Sequence, residues 1–233
     1  MKTIVISLGG SVLVPSLESN NVSKYASVLK TIAEKCRIFV VVGGGGEARR
    51  YIGAARQLGI NEAASDELGI LVTRMNARLL VGALGTAAYP RVAENYTEAK
   101  EFAEAGKIVV MGGVTPAQTT DAVSAVLAES VCADLLINAT SVNGIYSVDP
   151  RKDTDAVRYE RLTPLQLLEI ISGCRLNAGS NIVFDIVAGK VLERCRIPLL
   201  VLDGRDPENL YRAVIFGDFI GTVVSDEGIF PLP

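Results

Sequence analysis

Apolar and polar positions along the chain follow two patterns that alternate with each other. Short runs rich in β-branched residues predict strands at 3–8, 37–42, 87–93, 107–111, 135–139, 198–202 and 221–224. Stretches with apolar residues at every third or fourth position predict helices at 22–35, 47–58, 65–84, 96–105, 120–132, 164–171 and 182–195. This alternation is typical of α/β proteins with a mostly parallel sheet.

Several of the predicted strands are apolar throughout, which bears on how the layers are arranged. The run 39–42, for example, contains no polar residue. A strand of this kind needs cover on both faces, because both present apolar side chains. We therefore predict a doubly wound sheet with helices packed on each side.

Glycine clusters follow three of these strands. Gly9-Gly10 comes after the first, the run 43–46 after the second, and Gly112-Gly113 after the strand at 107–111. In open α/β sheets, ligands bind beyond the carboxyl ends of the strands, where helix N-termini and unhindered N–H groups attract anions. Together the clusters predict a shared phosphate-binding crevice. Taken one at a time, each would be an ordinary tight turn.

The composition narrows the chemistry of such a crevice. The 233 residues include no histidine, which excludes Ser-His and Cys-His nucleophiles and the usual zinc sites. Because the net charge is −3 and no basic run occurs, a nucleic-acid groove has no electrostatic support. The four cysteines lie far apart, as expected of buried thiols in a reduced compartment.

The amino-terminal apolar run ends at Gly9 and Gly10. It is too short for a signal peptide or a membrane span. We therefore expect a cytoplasmic protein whose partners are small molecules, with no membrane and no nucleic acid among them.

Three common phosphate motifs do not fit the glycine clusters. No Gly-Lys-Ser or Gly-Lys-Thr follows any cluster, so a Walker loop is absent. The run 43–48 matches the dinucleotide pattern G-x-G-x-x-A, with Asp66 at about the expected distance, but the residues before Asp66 are not a strand. The His-Arg-Asp signature of protein kinases is excluded by the lack of histidine.

Charged side chains near the clusters suggest what the crevice does. Arg49 lies one turn inside the helix that Gly44 and Gly45 open, so a guanidinium and a helix N-terminus would approach one anion. The alternative is a solvated surface charge. Asp66 and Asp121 lie near predicted helix starts, where acids often only cap the helix or interact favourably with its dipole. Beside phosphates, Asp121 would organise something cationic, such as a basic side chain or a water on Mg²⁺.

Four segments, in this order, resemble the amino acid kinase family. They are Leu8-Gly9-Gly10-Ser11, then Val42-Gly43-Gly44-Gly45 with Arg49, then Gly112-Gly113 followed by Thr119-Thr120-Asp121, and then Asn-Gly-Ile-Tyr-Ser-Val-Asp-Pro at 143–150. The resemblance runs from Ile4 to about Thr222. It implies an α/β fold, a three-layer αβα sandwich with a mostly parallel central sheet, as a single domain over 1–233. The acceptor side would lie mainly in the N-terminal part and the ATP side mainly in the C-terminal part.

The run 111–122 is similar to the acceptor loop of the branch of this family that phosphorylates UMP. The resemblance implies transfer of the γ-phosphoryl of ATP to UMP, giving UDP and ADP, in pyrimidine nucleotide biosynthesis. It also implies direct in-line transfer, Mg²⁺ with ATP, and a homo-oligomer, in this family a hexamer.

The resemblance distributes roles over residues of this chain. ATP would be bound by Gly9, Gly10, Ser11, Gly45, Arg49, Thr140, Tyr146 and Asp149. UMP would be bound by Gly44, Asp66, Val114, Thr115, Pro116, Ala117, Gln118, Thr119 and Thr120. Asp121 and Arg49 would serve catalysis, and Mg²⁺ would be held through the ATP phosphates with no protein ligand. Without the resemblance, the loop 114–120 would be a capped helix start and 143–150 a pair of turns.

One position departs from the family pattern. Ser7 stands where most members have a lysine that neutralises the transferred phosphoryl group, and a serine cannot do so. Arg49 and Mg²⁺ would share that role. Lys190 is a further candidate, although by default it is a surface lysine.

Two other functions remain open. One is a kinase for another acceptor such as isopentenyl phosphate or an acidic metabolite, and the other is a non-catalytic nucleotide- or oxyanion-binding protein.

Overall fold

The computed structural model describes residues 1–148, 153–174 and 184–226, with the backbone alone at 173 and 174. The strands in this part of the chain are β1 Lys2–Leu8, β2 Cys36–Val42, β3 Val109–Met111, β4 Leu135–Thr140, β5 Ile145–Tyr146, β6 Arg158–Tyr159, β7 Arg161–Leu162, β8 Leu199–Asp203 and β9 Gly221–Val224. The helices are α1 Gly10–Leu13, α2 Val22–Ala33, α3 Gly45–Gln57, α4 Glu62–Leu84, α5 Tyr96–Ala103, α6 Thr120–Ser130, α7 Pro164–Cys174, α8 Ile186–Cys195 and α9 Pro207–Phe216.

A mostly parallel sheet in the order β3-β2-β1-β4-β8-β9-β7 forms the centre of the described structure. Of its strand pairs, β8 with β9 is antiparallel and the others are parallel. Leu8, at the end of β1, lies beside Val42 of β2 and Ala139 of β4. The carboxyl ends of these three strands therefore reach one edge of the sheet, and the glycine clusters after β1 and β2 follow at that edge.

Both faces of the sheet are covered, as the all-apolar strands predict. Along β1, Ile4, Ile6 and Leu8 pack into a core with α2, α4 and α9, whereas Val5 packs into a second core with α5, α6 and α8. This alternation follows from the two-residue period of a strand. The three-layer arrangement is confirmed.

Six of the seven predicted strands are present, with ends shifted by at most two residues, but the strand predicted at 87–93 is wrong. A 3-10 turn occupies Gly85–Ala87, and only isolated bridges join Ala88 to Ile108 and Ala93 to Met111. Pro90 lies between the two bridges and has no N–H to donate, so a regular ladder cannot continue through it.

The predicted helices are present, with corrections at some ends. The helix predicted from Ser65 begins at Glu62 and is capped by Asn61, whose side chain accepts from the Ala64 N–H. Asp66 therefore lies in the second turn, and the capping role considered for it is wrong. The short α1, α9 and the strands β5 to β7 were not predicted. α8 begins at Ile186 in the structure, and the first residues of its predicted span lie outside the described residues.

The cysteines only partly match the expectation of buried thiols. Cys36 is buried, Cys195 is half-buried and Cys132 is exposed, and all three are free. The side chain of Cys174 lies outside the described residues.

Candidate active site

A cleft of about 350 Å³ opens at the carboxyl edge of the sheet. Its walls come from the ends of β1, β2 and β4, the starts of α1, α3 and α6, the inner face of α4 and the loop before α6. The lining residues are Ser7, Gly9, Gly10, Ser11, Gly43, Gly44, Gly45, Ala48, Arg49, Ile52, Asp66, Gly69, Ile70, Thr73, Gly113, Thr115, Gln118, Thr119, Thr120, Asp121, Asn138 and Thr140. The crevice predicted from the glycine clusters is thus present, and it gathers residues from far apart in the sequence.

The first two glycine clusters contact each other directly. A Cβ atom on Gly10 would lie 2.3 Å from both the Gly43 oxygen and the Gly45 nitrogen, and Gly45 has a φ of +66°. No other residue type fits at these two positions without moving the backbone. α1 and α3 therefore begin side by side, and the first N–H groups of each helix have no acceptor within their own helix. This arrangement is suited to binding phosphate oxygens.

Arg49 adds a positive charge at the mouth of the cleft. Its side chain is exposed, and no described carboxylate lies within 4.0 Å of it. Other arginines of α3 differ, since Arg50 pairs with Glu47 and Arg56 with Glu62. Arg49 is therefore the arginine of this helix that faces the cleft without a protein counter-ion among the described residues.

The loop before α6 crosses the cleft opposite the glycine turns. The Gln118 N–H donates to the Thr115 oxygen, and Ala117 has a φ of +65°. This is the geometry of a type II turn, which usually has glycine or asparagine at that position. The Ala117 N–H donates to Asp66 Oδ2 at 2.8 Å, so a carboxylate from α4 holds the turn in place.

The residues predicted to bind UMP fall into two groups. Gly44, Asp66, Thr115, Gln118, Thr119 and Thr120 line the cleft. Val114, Pro116 and Ala117 belong to the same loop but are not among the lining residues. The predicted loop therefore lies at the cleft, but the side chains of three of its seven residues do not line it.

Asp121 lies in the first turn of α6, at the base of the cleft. Ser7 Oγ, on β1, donates a hydrogen bond of 2.9 Å to Asp121 Oδ1. Burial raises the pKa of Asp121 to about 7; the Ser7 hydrogen bond opposes this shift and the nearby Asp185 carboxylate adds to it. No described lysine or arginine forms an ion pair with Asp121. Among the described residues, nothing cationic therefore compensates the charged form of Asp121, which is why burial dominates its pKa.

Asp185 connects the loop before α6 to the start of α8. Its Oδ1 caps α8 by accepting from the Val187 and Ala188 N–H groups, and its Oδ2 accepts a hydrogen bond from the Thr119 hydroxyl. The Thr119 hydroxyl in turn accepts from the Ala122 N–H and so caps α6. Sequence reasoning missed Asp185; an aspartate directly before a helical pattern is an N-cap signal that could have located it.

The residues predicted to bind the nucleoside part of ATP are only partly described. Thr140, at the end of β4, lines the cleft. Tyr146, on β5, donates from its hydroxyl to Asn143 Oδ1 and is not a lining residue. Asp149 lies outside the described residues. Lys190 is exposed on α8 and does not line the cleft.

The model of the Amino acid kinase family matches residues 2–203 of this chain. The chain belongs to the amino acid kinase family. Among individual members, the uridylate kinase of Methanoculleus marisnigri is 77% identical over the full length of both chains. The uridylate kinase of Methanospirillum hungatei is 59% identical, over 100% of this chain and 99% of that one.

Solved structures of family members agree with the fold described above. A crystal structure of the uridylate kinase of Archaeoglobus fulgidus matches with a TM-score of 0.86 and 46% identity, over 97% of this chain and 100% of that one. The UMP kinase of Bacillus anthracis matches with a TM-score of 0.80 at 23% identity, over 97% of this chain and 96% of that one, which supports the fold alone. The resemblance to the amino acid kinase family, on which the fold prediction rests, is confirmed.

Proposed function

We propose that this protein is an ATP-dependent UMP kinase. The observation that carries the proposal is the loop 113–120, pinned by Asp66 across the cleft from two glycine turns and Arg49. One wall thus offers N–H groups and a guanidinium for polyphosphate, and the other offers hydroxyls and an amide for a nucleotide. The identity of 77% to a relative named uridylate kinase agrees with this reading.

The ATP phosphates would lie against the paired glycine turns. Gly10, Ser11 and Gly45 supply N–H groups at the starts of α1 and α3, and Arg49 approaches from the second turn of α3. The Gly9 N–H already donates to the Ala139 oxygen at 3.0 Å, so Gly9 would contribute close approach of the backbone and not a donor. Thr140, Tyr146 and Asp149 are assigned to the rest of ATP on family resemblance.

Comparing Arg49→Ala with Arg50→Ala tests the role of Arg49 in ATP binding. Arg50 is the control, because it already has Glu47 as a partner. We expect the first variant to weaken ATP binding at least tenfold and the second to leave it within about twofold.

UMP would occupy the side of the cleft formed by α4 and the loop. Asp66 already accepts from Ala117 through Oδ2, which leaves its other oxygen free to accept from a ribose hydroxyl. Thr115, Gln118, Thr119 and Thr120 are the candidates for the uracil edge and the phosphate. These polar residues disfavour an isoprenoid phosphate, whose hydrocarbon tail would need an apolar wall.

Transfer would be direct, without a covalent enzyme intermediate. An oxygen of the UMP phosphate attacks the γ-phosphorus while the bond from that phosphorus to the bridging oxygen of ADP breaks, so UDP and ADP form together. No protein base is required, because the acceptor phosphate is mostly ionised near neutral pH. The enzyme contributes alignment and charge stabilisation.

Mg²⁺ bound to the ATP phosphates fits the donor set of the cleft. The buried Asp121 carboxylate lines the cleft and has no cationic partner among the described residues, so it could accept from a water on that metal. Asp121 would organise that metal's water or a basic group. Mg²⁺, when bound, neutralises phosphate charge; Arg49 supplies the protein's share, since Ser7 replaces the usual lysine.

We also propose that copies of the chain, one domain over 1–233, assemble with each other in the cytoplasm. α4 carries an exposed apolar stripe of Leu71, Met75 and Leu79 on the face opposite the cleft. The helix is long and apolar enough to cross a membrane by composition, but its other face packs into the protein. Such a stripe favours a second copy as its cover. Family resemblance suggests a hexamer; a monomeric mass in light scattering would contradict this part.

The decisive experiment is ADP release from ATP and Mg²⁺ with UMP, CMP, isopentenyl phosphate or no acceptor. We expect strong stimulation by UMP. Stimulation by isopentenyl phosphate alone would identify a different acceptor. ATP binding without turnover under any acceptor would overturn the kinase proposal.

A further inference from the structure

Two polar side chains are buried on the inner face of α4, three residues apart. Thr73 is 7% exposed and Asn76 is 6% exposed. Burying a hydroxyl or an amide is unfavourable unless it forms hydrogen bonds. Besides one bond from Thr73 to its own helix, the partners of these two side chains are backbone groups of the two loops that face each other across the cleft.

Asn76 holds the turn between β2 and α3. Its Nδ2 donates to the Gly43 oxygen at 3.0 Å and to the Gly44 oxygen at 3.3 Å. Both carbonyl groups therefore point at α4 and not into the cleft. A carbonyl oxygen beside a phosphate would repel it, so Asn76 keeps this turn favourable for an anion.

Thr73 holds the start of the opposite loop. Its hydroxyl donates to the Ile70 oxygen at 2.6 Å, and this bond orients a lone pair toward the Gly113 N–H, which donates to it at 2.7 Å. The contact is tight, because a Cβ atom on Gly112 would lie 2.5 Å from the same hydroxyl oxygen. The next residue, Arg74, donates from Nε to the Gly113 oxygen at 3.3 Å.

We propose that Thr73 and Asn76 are positioning residues that set the distance between the donor side and the acceptor side of the cleft. This inference rests on the proposed function, since in-line transfer requires the acceptor oxygen and the γ-phosphorus to be aligned. A misplacement of about 1 Å can cost about a hundredfold in rate. One helix holds both loops through two adjacent turns, so the spacing of these side chains along α4 relates the two loops to each other.

The test compares Thr73→Val, which keeps the shape and removes the hydroxyl, with Thr73→Ser, which keeps the hydroxyl. Ser65→Ala is the control, because the Ser65 hydroxyl is buried in the same helix and donates to the helix oxygen of Asn61. The measurements are kcat, both KM values, the melting temperature, and the calorimetric Kd for UMP and for a non-hydrolysable ATP analogue.

For Thr73→Val we expect the Kd and KM for UMP to rise about tenfold, and kcat to fall by about as much, from loss of one loop-fixing hydrogen bond. The Kd of the ATP analogue should stay within about twofold, and Thr73→Ser and Ser65→Ala should match the parent within about twofold. Asn76→Ala should instead weaken the ATP analogue about tenfold and lower kcat.

Two results would overturn the inference. The first is a Thr73→Val enzyme whose constants all stay within about twofold of the parent. The second is equal weakening of both ligands that tracks a fall in melting temperature, as a purely structural residue would give. A parent protein that binds both ligands without turnover would overturn the proposed function only, because the two Kd values still test the positioning.

Discussion

Asp134 contacts the amino end of strand β1, and Asp121 contacts its carboxyl end. The surroundings of the two carboxylates differ, and the difference distinguishes a structural role from a functional one. At the amino end, Asp134 accepts from the Thr3 N–H at 2.8 Å and from Lys2 Nζ at 3.0 Å. Burial alone would raise the pKa of Asp134, but these two donors outweigh it and hold the pKa below its ordinary value.

At the carboxyl end, Asp121 has the Ser7 hydroxyl as its side-chain donor and Asp185 as a neighbour. Burial raises the pKa of Asp121 to about 7. The Asp134 carboxylate is thus stabilised by donors within the fold, whereas Asp121 has no cationic partner among the described residues. A buried carboxylate of this kind is a candidate for organising a ligand, because a ligand that carries a cation stabilises the charged form when it binds.

The largest expected effect comes from exchanging the two carboxylates for amides. Asp121→Asn keeps the shape and removes the charge that would organise the cationic partner of the phosphates, so we expect kcat to fall about a hundredfold or more. Asp134→Asn, at the other end of the strand, should leave kcat within about twofold. Steady-state ADP release measures both. Equal activity of the two variants would reduce Asp121 to an ordinary first-turn acid.

The pH dependence of kcat/KM should also distinguish the parent from Asp121→Asn. If the organising form of Asp121 is the carboxylate, kcat/KM for ATP rises with pH through about 7. A rate profile from pH 5 to 9 measures this limb, and the residual activity of Asp121→Asn should lack it. A parent profile that is flat between about 6 and 8 would contradict the assignment.

Removing the Ser7 hydroxyl should give a smaller change. The hydrogen bond from Ser7 lowers the pKa of Asp121, so Ser7→Ala moves the acid limb of the rate profile to higher pH. At neutral pH we expect kcat to fall a few-fold, about the effect of one hydrogen bond to a charged group. Ser7→Thr retains the hydroxyl and serves as the control. A limb that moves to lower pH would show that Ser7 does not stabilise the carboxylate.

The smallest expected effect is on the free energy of unfolding, whose dependence on pH has opposite signs for Asp121 and Asp134. Folded Asp121 keeps its proton up to about pH 7 whereas the unfolded chain loses it near about pH 4, so the folded state binds more protons between these values. The free energy of unfolding therefore falls as pH rises from about 4 to about 7 and is flat above, as far as this group contributes. Asp121→Asn should melt a few degrees higher than the parent at pH 8, and this gain should shrink toward pH 5.

Asp134 contributes with the opposite sign. Its stabilisation is present above its ordinary pKa and is lost as the pH falls through the lowered pKa of the folded state. Asp134→Ala should cost about 1 kcal/mol at pH 7, or about 2–4 °C. Thermal melts of the three proteins at about pH 3, 5 and 8 measure both effects, because the Asp134 contribution changes only below its ordinary pKa. A destabilised Asp121→Asn at pH 8 would contradict the comparison.

The sequence predicted the sheet and the position of the cleft because both follow from local patterns. All-apolar runs locate central strands, and glycines directly after them locate the edge where ligands bind. Thr73, Asn76 and Asp185 were not predicted. Their partners Gly113, Gly43 and Thr119 lie 40, 33 and 66 residues away. An N-cap signal could have located Asp185 at the start of α8, but no local pattern encodes these long-range hydrogen bonds.

Two errors have local physical causes. The run 87–93 has the apolar composition of a strand, but Pro90 interrupts its hydrogen bonding and leaves two isolated bridges. The pattern predicts a helix start at Ser65, directly before Asp66, but Asn61 provides the cap four residues before Ser65. A cap is decided by which side chain reaches a free N–H, and both Asn61 and Ser65 are residue types that can cap, so the sequence leaves the choice ambiguous.

The most direct test of the central claim is the product itself. Protein, UMP, ATP and Mg²⁺ are incubated and the nucleotides separated, with Asp121→Asn as the matched inactive protein. The account predicts UDP in equal amount to ADP for the parent, and at least about a hundredfold less for the variant. ADP without UDP, or neither product from a protein that binds both nucleotides, would contradict it.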